Sequence, residues 1–270
     1  MVKLSTARIA GGREVRLVEF DEPPAPSTIA ALRKKGVAGV EITSRCWDPR
    51  APSLAWLADL QPVVLLVWAR GIVPPLPADA LRHVERLDIL ARTRLRQPVD
   101  VSTLTEVRDL AASADQIEGA LSQMTHLRYL YLDRAAEPSM AAVSGLRELE
   151  YLRLELRRGV STSFDFRCDD PPLRLRELIV MDAPLGSLAG LERLAGLEIL
   201  VLSPDPSAPQ GAPVDLRPLS RLERLQDVRI VSDAQFEHIS VIEGLPRIER
   251  ARIGGWCGDR PAGPEPATTP

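Results

Sequence analysis

Aliphatic residues recur along the chain in a frame of six, L-x-x-L-x-L, in which positions 1, 4 and 6 are apolar and the positions between them are mostly polar. The frames recur about every 24 residues, and an internal period of that length predicts a solenoid. A weaker copy, Gly12-Val15-Leu17, opens the series. The others are Val37-Val40-Ile42, Leu60-Val63-Leu65, Val84-Leu87-Ile89, Val107-Leu110-Ala112, Leu127-Leu130-Leu132, Leu149-Leu152-Leu154, Leu175-Leu178-Val180, Leu197-Leu200-Leu202, Leu225-Val228-Ile230 and Ile248-Ala251-Ile253.

Each unit combines two periodicities. Before the frame, leucines follow one another at a spacing of three, as in residues 188–197 and 216–225, which places them on one face of a 3₁₀ turn or short helix. At the end of the frame the spacing becomes two, the period of a strand. We therefore predict an α/β solenoid with a parallel sheet on one side and short helices or 3₁₀ turns on the other. One unit is too small to bury its apolar face alone, so neighbouring units must cover it.

The runs LAGLERLAGLEILVL (188–202) and LRPLSRLERLQDVRI (216–230) resemble leucine-rich repeats of the short bacterial and protein-phosphatase-regulator types. The resemblance covers roughly residues 12–256 and implies a curved sheet on the concave face. The family carries Asn three residues after the last strand position, where it satisfies backbone groups. Here that position holds Arg45, Trp68, Arg92, Asp115, Ala135, Arg157, Ala183, Asp205, Asp233 and Trp256. We therefore expect an irregular polar ladder.

A single solenoid of about 11 repeats is expected over residues 1–257. Residues 1–36 form its N-terminal capping region, with a helix near 28–35 that is capped by Ser27 and ended by Gly36. The Pro-rich segment 258–270 is expected to be a disordered tail. Two longer units place insertions at 157–172 and 203–215. We expect Phe164 and Phe166 of the first to pack against the flank of the stack, although a partner contact is the alternative.

Composition narrows the class of partner. The chain is 45% hydrophobic but only 4% aromatic, which suits thin aliphatic layers, and its net charge of −3 does not favour nucleic acid. No apolar run is long enough to span a membrane and no secretory signal opens the chain. The 34 basic residues include only three Lys, and Asn is absent, a bias typical of GC-rich bacteria. We expect a bacterial cytoplasmic monomer that binds neither nucleic acid nor membrane.

Candidate chemistry is sparse. The three Cys are odd in number and widely spaced, which indicates neither a disulfide framework nor a zinc site, and we expect no metal or cofactor. No phosphate loop, nucleophile elbow or HExxH motif is present. Asp169 and Asp170 suit a solvated turn, Cys257 suits an inert thiol, and His83 and His126 suit the surface. We therefore expect no catalytic residues, and a hydrolase that uses Asp169 or Cys257 is the alternative.

The three tyrosines of the chain are the strongest candidates for binding. Positions 2, 3, 5 and 7 of each frame are expected to line the concave surface, and all three Tyr fall there, on adjacent units. Tyr and Arg anchor many interfaces. The predicted partner-binding residues are Tyr129, Tyr131, Tyr151, Arg128, Arg153, Arg176 and Ile179. The alternative is that Tyr only suits exposed strand positions.

A more apolar strip follows on the same face, at Ile179, Met181, Ile199 and Val201. A locally shifted register that hides some of these side chains is the alternative. Together the patterns predict a non-enzymatic module that binds a protein partner of unknown identity. The resemblance implies an adaptor or a toxin-neutralising immunity protein, and binding of a small ligand or glycan by the three Tyr is the alternative.

Overall fold

The computed structural model describes residues 3–9, 12–43, 46–89, 93–205, 212–254 and 256–259. Its main feature is a 13-stranded sheet in which the strands lie side by side in chain order. The strands are β1 (Lys3–Arg8), β2 (Glu14–Phe20), β3 (Gly39–Ile42), β4 (Val64–Val67), β5 (Arg86–Ile89), β6 (Asp109–Ser113), β7 (Tyr129–Ala135), β8 (Tyr151–Leu156), β9 (Glu177–Met181), β10 (Ile199–Ser203), β11 (Asp227–Ile230), β12 (Arg250–Ile253) and β13 (Trp256–Asp259).

The strands from β2 to β12 are all parallel, and only the outermost pairs, β1–β2 and β12–β13, are antiparallel. Within the parallel run, Leu130, Leu152, Leu178 and Leu200 are partners in successive strands and are fully buried. The predicted solenoid is confirmed, because these leucines are consecutive rungs of one core.

The side opposite the concave face carries the short helical segments, and the spacing-of-three leucines form 3₁₀ turns as predicted. The α-helices are α1 (Pro26–Lys34), α2 (Trp56–Leu60), α3 (Ala78–Leu81) and α4 (Ser240–Glu243). The 3₁₀ turns are Val101–Thr103, Ala114–Gln116, Leu121–Gln123, Met140–Val143, Leu191–Arg193 and Arg217–Arg221. Three two-stranded pairs join Gly71–Val73 to Thr93–Leu95, Val99–Asp100 to Ile117–Glu118, and Val214–Asp215 to Phe236–Glu237.

Helix α1 begins earlier than predicted. Its N-cap is Ala25 and no side chain caps it, so the assignment of Ser27 as the cap is wrong. Pro26 occupies the first turn, where its fixed φ suits a helix and its missing N–H costs no hydrogen bond. Gly36 follows the helix with φ +67°, as expected for a helix end.

The opening frame is displaced from its predicted register. Val18 pairs with Val40 and Phe20 pairs with Ile42, and all four side chains belong to the main core. The residues of β2 that face the core are therefore Val18 and Phe20, and the prediction Gly12-Val15-Leu17 is wrong. Val15 and Leu17 also fit the apolar spacing because β2 is apolar on both faces. The alternation of apolar and polar residues therefore could not show which face of β2 points to the core.

The frame of β4 is wrong for the same reason. Leu65 pairs with Val40 and Val67 pairs with Ile42, so the frame Leu60-Val63-Leu65 is displaced by two residues. The run of residues 63–67 is apolar throughout, and such a run does not reveal which residues face the core. A displacement of two residues leaves the two faces of the strand unchanged, so Val64 and Leu66 lie on the concave side, as in the predicted frame.

The N-terminal turn covers this part of the concave face. A second apolar cluster there comprises Ile9, Val15, Leu17, Val64 and Leu66, all of them buried. Polar contacts reach further, to β5. Arg86 donates to the carbonyl of Arg8 at 2.8 Å, and Arg13 pairs with Glu85 at 2.6 Å. The chain itself therefore occupies the concave side of β3 and β4, and the open surface begins near β5.

Gly39 makes this packing possible. It lies between Leu17 and Val64 in the sheet, and a Cβ at this position would stand 2.1 Å from Cδ2 of Leu17. We expect Gly39→Ala to lower the free energy of unfolding by about 1–3 kcal/mol, because Leu17 must leave its place. Urea denaturation measures the change. Gly244→Ala is the matched control, since its Cβ would meet its nearest atom at an ordinary 3.5 Å. Equal midpoints for the two variants would contradict the packing of Leu17 over Gly39.

The row of residues that follows the strands is displaced by one residue after β4 and after β6. Trp68 is 37% exposed and Asp115 pairs with Arg134 at 3.3 Å, so neither takes the predicted inward place. The next residues, Ala69 and Gln116, are buried instead. The predicted positions Arg45 and Arg92 lie outside the described residues.

Polar side chains in this row satisfy backbone groups, as Asn does in the family. The hydroxyl of Thr93 donates to the carbonyls of Val67 and Ala69 at 2.9 and 3.0 Å. Oε1 of Gln116 accepts from the backbone N–H of Leu95 at 2.5 Å. The ladder is irregular, as expected, and Thr93 and Gln116 lie one residue later than the predicted positions.

At β7 and β8 the row is apolar. Ala135 pairs with Leu156, so the prediction that Arg157 takes this place is wrong by one residue. The shift arises at a bulge before Ala135, where Arg134 has a φ of +57° and adds one residue to β7. Ala183 is buried at its predicted position.

The first insertion is part of the stack. Phe164 and Phe166 are buried with ring centroids 4.8 Å apart, in agreement with the predicted packing against the flank. Asp165 bridges to Ser139, and its carbonyl accepts from the N–H of Met140 at 2.9 Å. Of the second insertion, residues 206–211 lie outside the described part.

The C-terminal strand β13 continues through Asp259, beyond the boundary expected at residue 257. Residues 260–270, where a disordered tail is expected, are not among those described. No helix in the described part of the chain is long and apolar enough to cross a membrane.

Candidate interaction surface

The open part of the concave face is built from two rows of side chains on β5–β12. They alternate with the buried residues of the same strands and therefore face away from the core. The first row is Arg86, Asp109, Tyr129, Tyr151, Glu177, Ile199, Asp227 and Arg250. The second row is Asp88, Ala111, Tyr131, Arg153, Ile179, Val201, Arg229 and Arg252. We call these two rows the central surface.

Tyr129 and Tyr151 stack at the middle of the first row. Their ring centroids are 4.3 Å apart and their planes differ by 6°. The residues are partners in neighbouring parallel strands, and the strand spacing of about 4.8 Å brings equivalent side chains to stacking distance. The two hydroxyl groups also interact with each other electrostatically. The two rings thus form one rigid, half-buried aromatic platform.

Arg153 connects the platform to the third tyrosine. Its guanidinium carbon lies 5.0 Å from the ring centroid of Tyr131, its register partner on β7, which is a cation–π distance. Nε of Arg153 donates to Oε1 of Glu155 at 3.0 Å, and Nη2 contacts the same oxygen. These contacts hold Arg153 in one conformation while part of the side chain remains exposed.

The environment of the three tyrosines favours their neutral forms. Burial is the main cause and raises the pKa of Tyr131 to about 12, with the nearby Glu155 carboxylate adding to the effect. Burial and the neighbouring Tyr151 raise the pKa of Tyr129, and burial and Glu177 raise that of Tyr151.

A spectrophotometric titration tests this cluster directly, because the chain has only these three Tyr. We expect the phenolate absorbance of the folded protein to rise well above pH 10, the ordinary tyrosine pKa, and that of the protein in denaturant to rise near it. Since the folded state binds these protons more tightly, the free energy of unfolding should stay constant below about pH 10 and fall as the pH rises towards 12. A normal transition in the folded protein would show that the rings are not packed as described.

The aliphatic strip lies next to the tyrosines. Ile179 pairs with Val201, and Met181 follows on β9 while Ile199 begins β10. All four side chains are half-buried on the concave face, while Leu178 and Val180 between them are buried. A shifted register that hides part of the strip is therefore wrong.

Glu177 is the least compensated charge of the central surface. It lies between Tyr151 and Ile199 in the first row. Its side-chain carboxylate has no hydrogen-bond or ion-pair partner among the described residues. Burial, and secondarily the charge of Asp227, raises the pKa of its carboxyl.

Two of the predicted residues lie apart from the cluster. Arg128 and Arg176 occupy position 2 of their frames, at the beginning of the strands, where they face acidic residues. Arg128 is 3.8 Å from Glu148, and Arg176 is 2.8 Å from Glu198. Such exposed pairs contribute about 0–1 kcal/mol each. The structure thus brings together the three Tyr, Arg153 and Ile179.

Sequence reasoning missed a basic group at the other end of the surface. Asp227 is buried and accepts from Arg229 at 2.7 and 3.1 Å and from Arg250 at 2.8 Å. Arg252 lies beside Arg229 in the second row. Positions 3 and 5 of the last two frames could have revealed these residues.

Of the residues considered for catalysis, the two Asp and the two His lie on the surface of the protein. Asp169 and Asp170 are exposed, and Asp170 pairs with Arg147 at 3.2 Å. His83 and His126 are exposed as expected. The side chain of Cys257 lies outside the described part. Within the described ranges, no group of three His, Cys, Asp or Glu is arranged to hold a metal ion.

Comparison with known proteins agrees on the fold. No family model matches the chain, and no curated protein does. Among solved structures, internalin C2 from Listeria monocytogenes superposes with a TM-score of 0.52 at 18% identity, covering 76% of this chain and 84% of that protein. Internalin F from the same organism gives 0.54 at 16% identity, covering 87% of this chain and 71% of that protein. The chain has the fold of a leucine-rich-repeat protein.

Proposed function

We propose that this chain is a non-enzymatic protein-binding module whose partner docks on the central surface. The observation that carries the proposal is the stacked pair Tyr129 and Tyr151, with Arg153 packed against Tyr131 beside an open aliphatic strip. Tyr and Arg in such clusters contribute most of the binding energy in many interfaces, because each offers a large contact area together with polar groups.

Preorganisation supports the same proposal. The aromatic rings and the guanidinium already hold one conformation, so a partner would order few side chains on binding. The eight strands from β5 to β12 at a spacing of roughly 4.8 Å extend over roughly 34 Å. An interface of the usual size, roughly 800 Å² on each partner, fits on such a surface.

The biological role is proposed as that of an adaptor or of an immunity protein that neutralises a toxin in the bacterial cytoplasm. A repeat solenoid suits both roles, because each needs one extended surface and no chemistry. A toxin gene beside this one would favour immunity, whereas a gene for a regulatory complex would favour the adaptor.

Affinity capture tests the proposal with three baits. They are the wild type, the double variant Tyr129→Ala/Tyr151→Ala, and the control Leu173→Ala, which removes a side chain that is 65% exposed outside the sheet. We expect a protein captured by the wild type and the control but not by the double variant, and direct binding of that protein after purification. Unchanged recovery of every protein by the double variant would overturn the proposed surface. Binding of a glycan that depends on these two Tyr, without any protein partner, would replace the proposal with a carbohydrate-binding function.

A further inference from the structure

The charges of the central surface and its margin are separated into two halves by the aliphatic strip. The N-terminal side carries five carboxylates and two guanidinium groups. The C-terminal side carries three guanidinium groups and one carboxylate. The acidic half comprises Asp88, Asp109, Asp133, Glu155 and Glu177, with Arg86 and Arg153. The basic half comprises Arg229, Arg250 and Arg252, with Asp227.

The acidic half keeps one carboxylate available for a ligand. Arg86 and Arg153, the two cations of this half, are already engaged by Asp88 and Glu155. Glu177 borders the strip, and its carboxylate has no hydrogen bond or ion pair to any described residue. Desolvation without a cation is unfavourable for a carboxylate, and burial already raises the pKa of Glu177. A cation placed here would therefore be stabilised more than at a fully solvated acid.

The basic half has an excess of positive charge. Asp227 is shared by Arg229 and Arg250, so one carboxylate balances two guanidinium groups. Arg252 is exposed and has no ion pair to the described residues. An anionic group above these three arginines would be favoured, since guanidinium groups bind carboxylates with two parallel hydrogen bonds.

We propose that the partner presents a bipolar segment: a Lys or Arg above Glu177, apolar side chains across the aliphatic strip, and an Asp or Glu above the basic half. The proposal rests on the protein-binding function proposed above and names the chemistry of the partner. From β9 to β11 and β12 there are two to three strand spacings, or roughly 10–14 Å. The cation and the anion of the partner would therefore be three or four residues apart in an extended segment that crosses the strands.

Selection from a displayed library of random peptides tests this pattern. Four immobilised baits are used: the wild type, Glu177→Gln, Arg252→Glu and the double variant Tyr129→Ala/Tyr151→Ala. We expect the wild type to enrich peptides with a basic residue, apolar residues and an acidic residue in that order or its reverse. Glu177→Gln should lose the preference for the basic residue, and Arg252→Glu the preference for the acidic one.

An enriched peptide is then synthesised and titrated against each purified variant. We expect Glu177→Gln to weaken its binding about tenfold, and replacement of the basic residue of the peptide by an uncharged one to remove most of that difference. Glu243→Gln, which removes an exposed carboxylate on α4, is the matched control and should leave binding unchanged.

The outcomes separate the two proposals. Peptides that need Tyr129 and Tyr151 but show no charge pattern, and that bind Glu177→Gln as tightly as the wild type, overturn the bipolar segment and leave the protein-binding surface in place. Enriched peptides that bind the double tyrosine variant as well as the wild type, or the enrichment of no peptide, count against the surface itself.

Discussion

Replacing Leu178 by Ala is expected to lower the free energy of unfolding by about 2–5 kcal/mol. Leu178 is fully buried between Leu152 and Leu200, its partners on the two neighbouring strands. Because each layer of a solenoid is held in place by the layers on both sides, the cavity cannot collapse without moving both neighbours. Urea denaturation followed by circular dichroism measures the loss.

Ile179→Ala is the matched control for this prediction. Ile179 is the next residue of the same strand, is also a branched aliphatic residue, and lies half-exposed on the opposite face. We expect it to cost less than about 1 kcal/mol, since far less of its area is removed from water on folding. Equal losses for the two variants would mean that the two faces of the sheet are not buried differently, which would contradict the solenoid.

The second large effect concerns binding. With the partner identified by affinity capture, Tyr151→Ala is expected to weaken the complex by about 2 kcal/mol, or roughly 30-fold, because a central aromatic side chain is removed. Tyr129 also loses the ring on which it stacks. Isothermal titration calorimetry with the purified partner measures the affinity.

Tyr151→Phe separates the ring from the hydroxyl. It keeps the stacked ring and loses only the hydroxyl group, so we expect most of the affinity to remain. The unfolding midpoints of both variants serve as the check that the sheet is intact. An unchanged affinity of Tyr151→Ala for the partner would remove Tyr151 from the interface.

Most of the fold could be predicted from the repeats. Each unit has a spacing of three, which fits a short helical turn, followed by a spacing of two, which fits a strand. From β5 to β12 the residues predicted to face the core are buried and lie opposite one another in neighbouring strands, for example Leu130, Leu152 and Leu178. The predicted frames of β2 and β4 were wrong, because β2 and residues 63–67 are apolar on both faces. There the pattern did not show which residues of the strand occupy the frame. The second apolar face is buried by the N-terminal turn, which folds back over it.

The spacing of the apolar residues is sufficient to predict a stack of aliphatic layers and to place Tyr129, Tyr131 and Tyr151 on the face opposite the core. The period of two within a strand decides the face, and the period of about 24 decides the neighbour. The contacts between strands are seen only in the folded chain. They are the stacking of two Tyr and the position of Arg153 over Tyr131, while the carboxylate of Glu177 has no described partner. These contacts join residues more than 20 positions apart, and their geometry depends on register and bulges that local periodicity does not encode.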